Sequence, residues 1–394
     1  HLHWDAPVIS PPHDDTLVMS IDLSGRLRVA EAADESPAVV AQHRIDGPGA
    51  TLDMREFQQA LWSAPDWPED PYEDPSAAWT QQLPRTVCLT IDTGTRVLAR
   101  PFEPGRLCIR SAEYGSEVVG HAGLIAAHRD NWLLKALDAF GLSGVAFEME
   151  SLRPGLLSAG LGGSATAMTA VCLLANRLAG NPMDGYQVVA LAARLENDLG
   201  NSLTGTQEQS NVVWGGVRDY VWLPWGVPGE PRQGLGTSLQ YELLGPEVYE
   251  DVRAHMMIVH TGTTRFSADV NQEWVNTLQR EDVFPELKHL PGWAYEYREG
   301  LRTADWVRVG ASLRGFREIR ERLIPAYMAG AEALAEFVRL AGGEAFPLGA
   351  GGGGSCLVVA PDPAVLSTVR EGLAEGLREI EFELLERGHR FEHC

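Results

Sequence analysis

Hydrophobic positions between residues 154 and 180 (PGLLSAGLGGSATAMTAVCLLANRLAG) fall into two regimes. Gly160, Leu161, Gly162 and Gly163 form a glycine-rich turn with no regular spacing. From Ala165 onward, Met168, Val171, Leu174, Ala175 and Leu178 recur every three or four residues, which predicts a helix closed by Gly180. A second amphipathic helix is predicted over 187–199, and it carries Glu196. Ahead of the turn the pattern is strand-like. VCLTID, TRVLARPF and RLCIRSAEYG, within 87–115, alternate or run apolar and predict paired strands with turns near Gly94 and Gly105. A helix over 124–140 and a strand over 145–150 complete this region.

Downstream, HMMIVHTG (255–262) is a buried strand by its apolar run, and 266–279 and 303–340 have helical spacing, the latter enough for two or three helices. Residues 344–354 form another glycine-rich loop before the strand CLVVAP (356–361). A helix over 364–377 follows, then a half-exposed strand, EIEFELLE, in which Ile380, Phe382 and Leu384 alternate with glutamates. The first 86 residues are less regular. A hairpin with Ser24-Gly25 at its turn is predicted over 16–29, and a helix over 53–62, before the Pro- and acid-rich loop 64–75. Strand-rich sequence leading into a glycine loop and helix is an α+β pattern.

Length changes this picture only by allowing two or three domains, or one large two-lobed one. Charge excludes more. A formal net charge of −22 argues against nucleic-acid binding, which needs a basic footprint. No apolar run approaches the ~20 residues of a membrane span. Cys88, Cys108, Cys172, Cys356 and Cys394 have no CxxC or histidine partner at ligand spacing, and four read as small buried hydrophobes in a reducing cytoplasm. The chain opens on His1, consistent with a trimmed start, so a preceding targeting segment stays open. His1, His3, Asp5, His13, Asp14 and Asp15 match no metal-ligand spacing and read as solvated loop residues.

The chemistry concentrates at 160–165. Glycines let a backbone approach a ligand closely, and the following helix offers unpaired N–H groups and the positive end of its dipole. Such a turn is an anion site, with phosphate the natural anion; a plain tight turn before a buried helix is the alternative. The lysine of a GxxxxGKS/T loop is absent, which excludes a Walker-type P-loop. No strand–loop–helix–strand unit with a later acidic ribose ligand follows, which argues against a dinucleotide fold.

What the stretch does resemble is the second motif of the GHMP small-molecule kinases, a PxxxGLGSSA-type loop, with Gly163 in place of the first serine. LGAGGGGSCLVVAPD (348–362) resembles that family's third motif. Three further segments point to the heptose-7-phosphate and fucose kinase branch: IVHTGTTRFSADV (258–270), IRSAEYG (109–115) and GTQEQSNVVWGGV (205–217). The resemblance runs from about Val87 to the C-terminus. It implies the GHMP kinase fold, with an N-terminal α/β lobe like a ribosomal protein and a ferredoxin-like C-terminal lobe. The corresponding division is 87–230 for the ATP-binding lobe and 231–394 for the second, with a break at 224–236. Residues 1–86 would be a divergent segment or insertion containing part of the first motif.

The same resemblance implies ATP and Mg²⁺ as cofactors. Backbone amides of Gly160, Leu161, Gly162, Gly163, Ser164 and Ala165 would cradle the phosphates, and Ser164 and Glu196 would hold the metal; an exposed helix glutamate is the alternative for Glu196. Glu208 stands where the branch has aspartate as the group taking or orienting the acceptor hydroxyl proton. It retains the carboxylate but moves it by about one methylene, and ~1 Å of misplacement can cost ~100-fold in rate. Arg265 and Gly351, Gly352 and Gly353 are candidate substrate-binding residues. A first motif, a strand followed by a GGxxD-type turn, should precede VCLTID. Residues 64–83 lack the glycines, and the N-terminus loosely resembles the motif's downstream half, which would put Asp5 at its substrate-binding acid and make 30–86 an insertion.

The activity implied is phosphorylation of a hydroxyl, the anomeric one among the candidates, on a sugar or sugar phosphate by a cytoplasmic enzyme. A non-catalytic nucleotide- or sugar-binding homologue and a kinase for a non-sugar alcohol are the alternatives. A small sugar or sugar phosphate is the expected partner, with neither nucleic acid nor membrane, and a homodimer remains an open alternative.

Overall fold

The structure, a computed structural model, describes residues 19–21, 26–29, 36–62, 83–113, 115–125, 132–156, 159–198, 203–222, 238–263 and 267–393. The expected hairpin is present as β1 (Met19–Ile21) against β2 (Leu27–Val29). A strand unanticipated from the sequence follows, β3 (Pro37–Asp46), every residue of which is buried. It leads through a glycine turn into α1 (Arg55–Trp62). Residues 37–62 thus contribute a strand to the main sheet. β3 pairs along β4 (Arg85–Pro101) inside the main sheet, because its apolar face has nowhere else to be covered.

β4 also corrects an expectation. The turn predicted at Gly94 is absent, and 85–101 form one continuous strand. A Cβ at Gly94 would lie 2.0 Å from the Ala41 carbonyl oxygen, so the glycine answers to close approach by β3, not to a turn. The turn near Gly105 does lead into β5 (Arg106–Ser111), which pairs with β6 (Ser116–His121). Next come α2 (Trp132–Ala139), β7 (Leu142–Ser143) and β8 (Val145–Ser151).

The helix after the glycine turn is α3 (Gly163–Leu178), followed by α4 (Gly185–Asp198) and α5 (Gln207–Trp214). α3 is buried around nearly its whole circumference, with twelve of sixteen residues inaccessible. The reason is its position: it packs on β3 and β4 and touches α2, α4 and α5. β9 (Val217–Trp222) and β10 (Ser238–Leu244) then extend the same sheet, whose main path runs β10-β9-β4-β8-β5-β6.

The second sheet has strand order β12-β13-β11-β14, built from β11 (Met256–His260), β12 (Glu344–Pro347), β13 (Ser355–Val359) and β14 (Arg378–Ile380). All its pairings are antiparallel. Helices α7 (Ser267–Leu278), α8 (Phe284–Leu287), α9 (Leu290–Arg302), α10 (Trp306–Leu323) and α11 (Glu332–Ala341) connect β11 to β12, while α12 (Pro363–Glu371) connects β13 to β14; α6 (Tyr249–Ala254) precedes β11. That order and connectivity are ferredoxin-like, and the whole is α+β. The half-exposed strand expected over 379–386 shrinks to β14, because Glu383 pairs instead with Asp92 and Leu384 bridges Ile91. The chain end returns to the first sheet as β15 (His389–His393) on β3. Neither β10 nor β15 therefore belongs to a separate second lobe beginning at residue 231; the break itself, at 224–236, lies outside the described residues.

Arg320, fully buried in α10, ties the lobes together. It donates to Thr51 Oγ1 (2.6 Å) and the Ala50 carbonyl (3.1 Å), and its guanidinium lies over Trp274 and Tyr327. Its other nitrogen reaches the Ala350 carbonyl at 3.3 Å. One side chain thereby holds the turn after β3 against the glycine loop before β13.

Candidate active site

A cavity of about 490 Å³ opens where four connections converge: the turn after β3, the glycine loop before α3, the entry to α5 and the loop before β13. Gly160 to Ala165, Glu196, Glu208, Gly351 and Gly353 all line it. Gly352 does not; its amide donates to the Tyr327 carbonyl at 2.8 Å. Asp5 and Arg265 lie outside the described residues. A wider depression of about 720 Å³, bordered by Tyr249, Arg253 and Arg390, lies away from these loops and gathers neither a glycine loop nor a buried carboxylate.

The loop ahead of α3 has the geometry of an anion cradle. Gly162 caps the helix in the left-handed region at φ 81°, and the first intrahelical bond runs from the Thr166 amide to its carbonyl. The Gly163, Ser164 and Ala165 amides precede that bond, at the positive end of the helix dipole. A Cβ on Gly162 would sit 2.6 Å from Glu208 Cγ. Gly162→Val is therefore expected to abolish ATP binding in calorimetry, through both a disfavoured backbone and a displaced Glu208. Unchanged ATP affinity in that variant would remove the loop from the nucleotide site.

Glu208 enters the cavity from the first turn of α5, its side chain 14% exposed. Its Oε1 accepts from Arg44 Nη2 at 2.6 Å and from Gln207 Nε2 at 3.1 Å. Oε2 has no partner among the described residues. One oxygen is thus anchored and the other left available. Arg44, buried in β3, also donates to Asp46 Oδ2 (2.8 Å) and the Gly160 carbonyl (2.9 Å). Burial alone would lower the Arg44 pKa, but Asp46 and Glu208 outweigh it and hold the guanidinium above its usual range.

Glu196 is 1% exposed, not on an open helix face. Ser164 Oγ donates to its Oε1 at 2.9 Å, and Gln209 Nε2 donates to its Oε2 at 3.2 Å. Burial pushes its carboxyl up to about 8, with the Glu208 charge adding to the rise. The described residues hold no cluster of three or more histidine, cysteine or acidic groups suited to a metal. The Ser164 hydroxyl at the glycine loop and the neighbouring α4 carboxyl of Glu196, once deprotonated, would suit Mg²⁺, which keeps waters and takes much of its coordination from substrate phosphates.

Four residues escaped the sequence reading: Arg44, Asp46, Thr51 and Asp53. All belong to β3 or the turn after it, HRIDGPGATLD, where a buried strand runs into Gly47 and Gly49 and then an acid. That is the strand–glycine–acid order expected of the first motif, and it does precede β4. Asp53 accepts from the Gln207 amide at 2.9 Å, and burial, reinforced by Glu208, raises its carboxyl to about 7. Thr51 holds a left-handed φ of 71°, unusual for a β-branched residue. The readable signal is the apolar run AVV followed by polar residues and paired glycines; Gln42, His43 and Arg44 obscure it by breaking the alternation.

Residues 129–216 match the GHMP kinases N terminal domain. A homoserine kinase from Synechococcus is 29% identical over 189 residues, covering 43% of this chain and 60% of that protein. The matched part thus spans about three fifths of that relative's length. A D-glycero-D-manno-heptose 1-phosphate kinase from Bacteroides thetaiotaomicron superposes with a TM-score of 0.61 at 15% identity, covering 90% of this chain and 98% of its own. Lactococcus lactis galactokinase complexed with galactose gives 0.65 at 14% identity, covering 91% and 95%. At such identities these two structures speak for the fold. The domain match at 129–216 and the glycine loops support the GHMP kinase resemblance, and the solved structures share the two-lobed fold.

Proposed function

We propose that the protein transfers the γ-phosphoryl group of ATP to a hydroxyl of a small sugar or sugar phosphate, in the cytoplasm. The observation that carries this reading is Glu208: its Oε1 is fixed by Arg44 and Gln207, and its Cγ lies against Gly162 of the phosphate loop. A carboxylate beside the phosphates with one free oxygen can accept an acceptor hydroxyl proton as the oxygen–phosphorus bond forms and ADP departs. The amides of Gly163 to Ala165 would orient the phosphates, and alignment supplies much of the rate in such a transfer. Ser164 and Glu196 would hold Mg²⁺, which neutralises phosphate charge. Asp53 and Thr51 face the same cavity and would fix the acceptor's other hydroxyls.

The preference for a sugar rests on the heptose- and fucose-kinase-like segments at 109–115, 205–217 and 258–270. A non-sugar alcohol is the second reading, favoured by the sequence match to a homoserine kinase. ATP consumption should be measured against free sugars, sugar phosphates and homoserine in parallel. Turnover of a sugar or its phosphate supports the first reading, and of homoserine alone the second. If ATP binds but no acceptor turns over, the chain is a binding homologue; if ATP does not bind, the kinase reading falls.

A further inference from the structure

His43 lies on β3 at an irregularity in its pairing with β4. Gln42 faces Gly94 and Arg44 faces Thr90, so β4 advances four residues while β3 advances two. The extra residues include Thr93, whose buried hydroxyl lies 3.1 Å from His43 Nδ1. Bulges of this kind re-aim side chains, commonly beside functional sites. Here the ring is turned toward the phosphate loop. His43 is only 5% exposed, and its Nε2 has no hydrogen-bond partner among the described residues. Other buried polar atoms of the described residues also lack partners, but this one borders the cavity and is the atom that a Gly163 Cβ would meet, where a ligand could supply the missing bond.

The loop supplies a complementary gap. Gly163 carries no side chain, and among the described residues outside its own helix turn the position its Cβ would occupy has one neighbour within 4 Å, His43 Nε2 at 3.9 Å. An anionic oxygen held there by the first amides of α3 would come within hydrogen-bond reach of the ring. We infer that His43 is a nucleotide-phosphate ligand: with Thr93 donating to Nδ1, the Nε2–H donates to a phosphate oxygen of ATP lodged above Gly163. The ring thus supplies the side-chain contact that the glycine cannot make. Burial and the neighbouring Arg44 guanidinium hold the imidazole at about 4, so it acts as a neutral donor at neutral pH.

This inference rests on the ATP reading above, and the test separates the two. Binding of ATP and of adenosine is measured by calorimetry in EDTA, which leaves Mg²⁺ out of the comparison. His43→Asn retains an atom near Nδ1 but none near Nε2, whereas His43→Gln reaches the Nε2 position. Hydrogen bonds to charged groups set the scale, so His43→Asn should weaken ATP about 10- to 100-fold with adenosine unchanged, and His43→Gln should restore most of the loss. An unchanged ATP affinity in His43→Asn overturns the assignment, as does equal weakening of adenosine, which would make the ring a packing element. Failure of the unsubstituted protein to bind ATP overturns the kinase reading and this inference together. Thermal unfolding of each variant verifies that a folded protein was titrated, and the glutamine variant keeps the test decisive if asparagine destabilises.

Discussion

Glu208→Gln is expected to lower the rate of phosphoryl transfer by about 10²–10⁴-fold, the usual contribution of a positioned general base, while ATP affinity stays nearly constant. The amide keeps the shape and still accepts from Arg44 Nη2, the contact now made at 2.6 Å, so the fold and phosphate loop should survive. What it loses is the capacity to take a proton, which matters in the transition state and little in the ground state. Glu208→Asp is the finer probe. The glutamate reaches Arg44 and Gln207 with one oxygen while its Cγ lies where a Gly162 side chain would be. Shortening it by one methylene draws the carboxylate away from Arg44, and misplacement of ~1 Å can cost ~100-fold. Aspartate should therefore slow this site even though the resembled kinases use it. A faster aspartate variant would instead mark a site built for the shorter side chain. An unchanged rate in both variants, assayed with a true acceptor, would take Glu208 out of the chemistry.

Elements with a clean period are legible in the amino-acid sequence: α3, α4, β11 and β13 all lie where their spacing predicts. The glycine loop ahead of α3 is legible for a different reason, since Gly160, Gly162 and Gly163 before a helical pattern mark a place of close backbone approach. What stays hidden is whatever depends on distant partners. β3 is buried throughout yet carries Gln42, His43, Arg44 and Asp46, and only pairing excuses them: Arg44 with Asp46 and Glu208, His43 with Thr93. A local pattern cannot show that a residue 164 positions away neutralises a buried charge. Gly94 misleads in the opposite direction. Its neighbours look like turn sequence, while its cause is the Ala41 carbonyl on another strand.

Glu196→Gln is expected to raise the stability of the nucleotide-free protein at high pH while removing the Mg²⁺ dependence of ATP binding. Burial raises the Glu196 carboxyl from 4.5 to about 8, against the lowering pull of Ser164 and Gln209. The folded state therefore holds a proton that the unfolded chain releases from about pH 4.5 upward. The stability that the protonated group confers is fully present below that pH and is lost as pH rises through about 8. Glutamine removes this term. The two proteins should match near pH 5, and by pH 9 the variant should lead by an amount on the order of a few kcal/mol, since each pKa unit corresponds to about 1.4 kcal/mol. Asp53, raised to about 7, slopes in the same direction, and His43, lowered to about 4, in the opposite one; both are common to the two proteins and cancel in the difference. Denaturant titrations in EDTA across this range give that difference, and parallel curves would mean that Glu196 is ionised in the folded protein. The second readout is calorimetric. Metal ligation needs the deprotonated carboxylate, so Mg²⁺ should strengthen ATP binding to the unsubstituted protein with proton release, and should do neither in the variant. Equal Mg²⁺ enhancement in both would return Glu196 to a purely structural role under the phosphate loop.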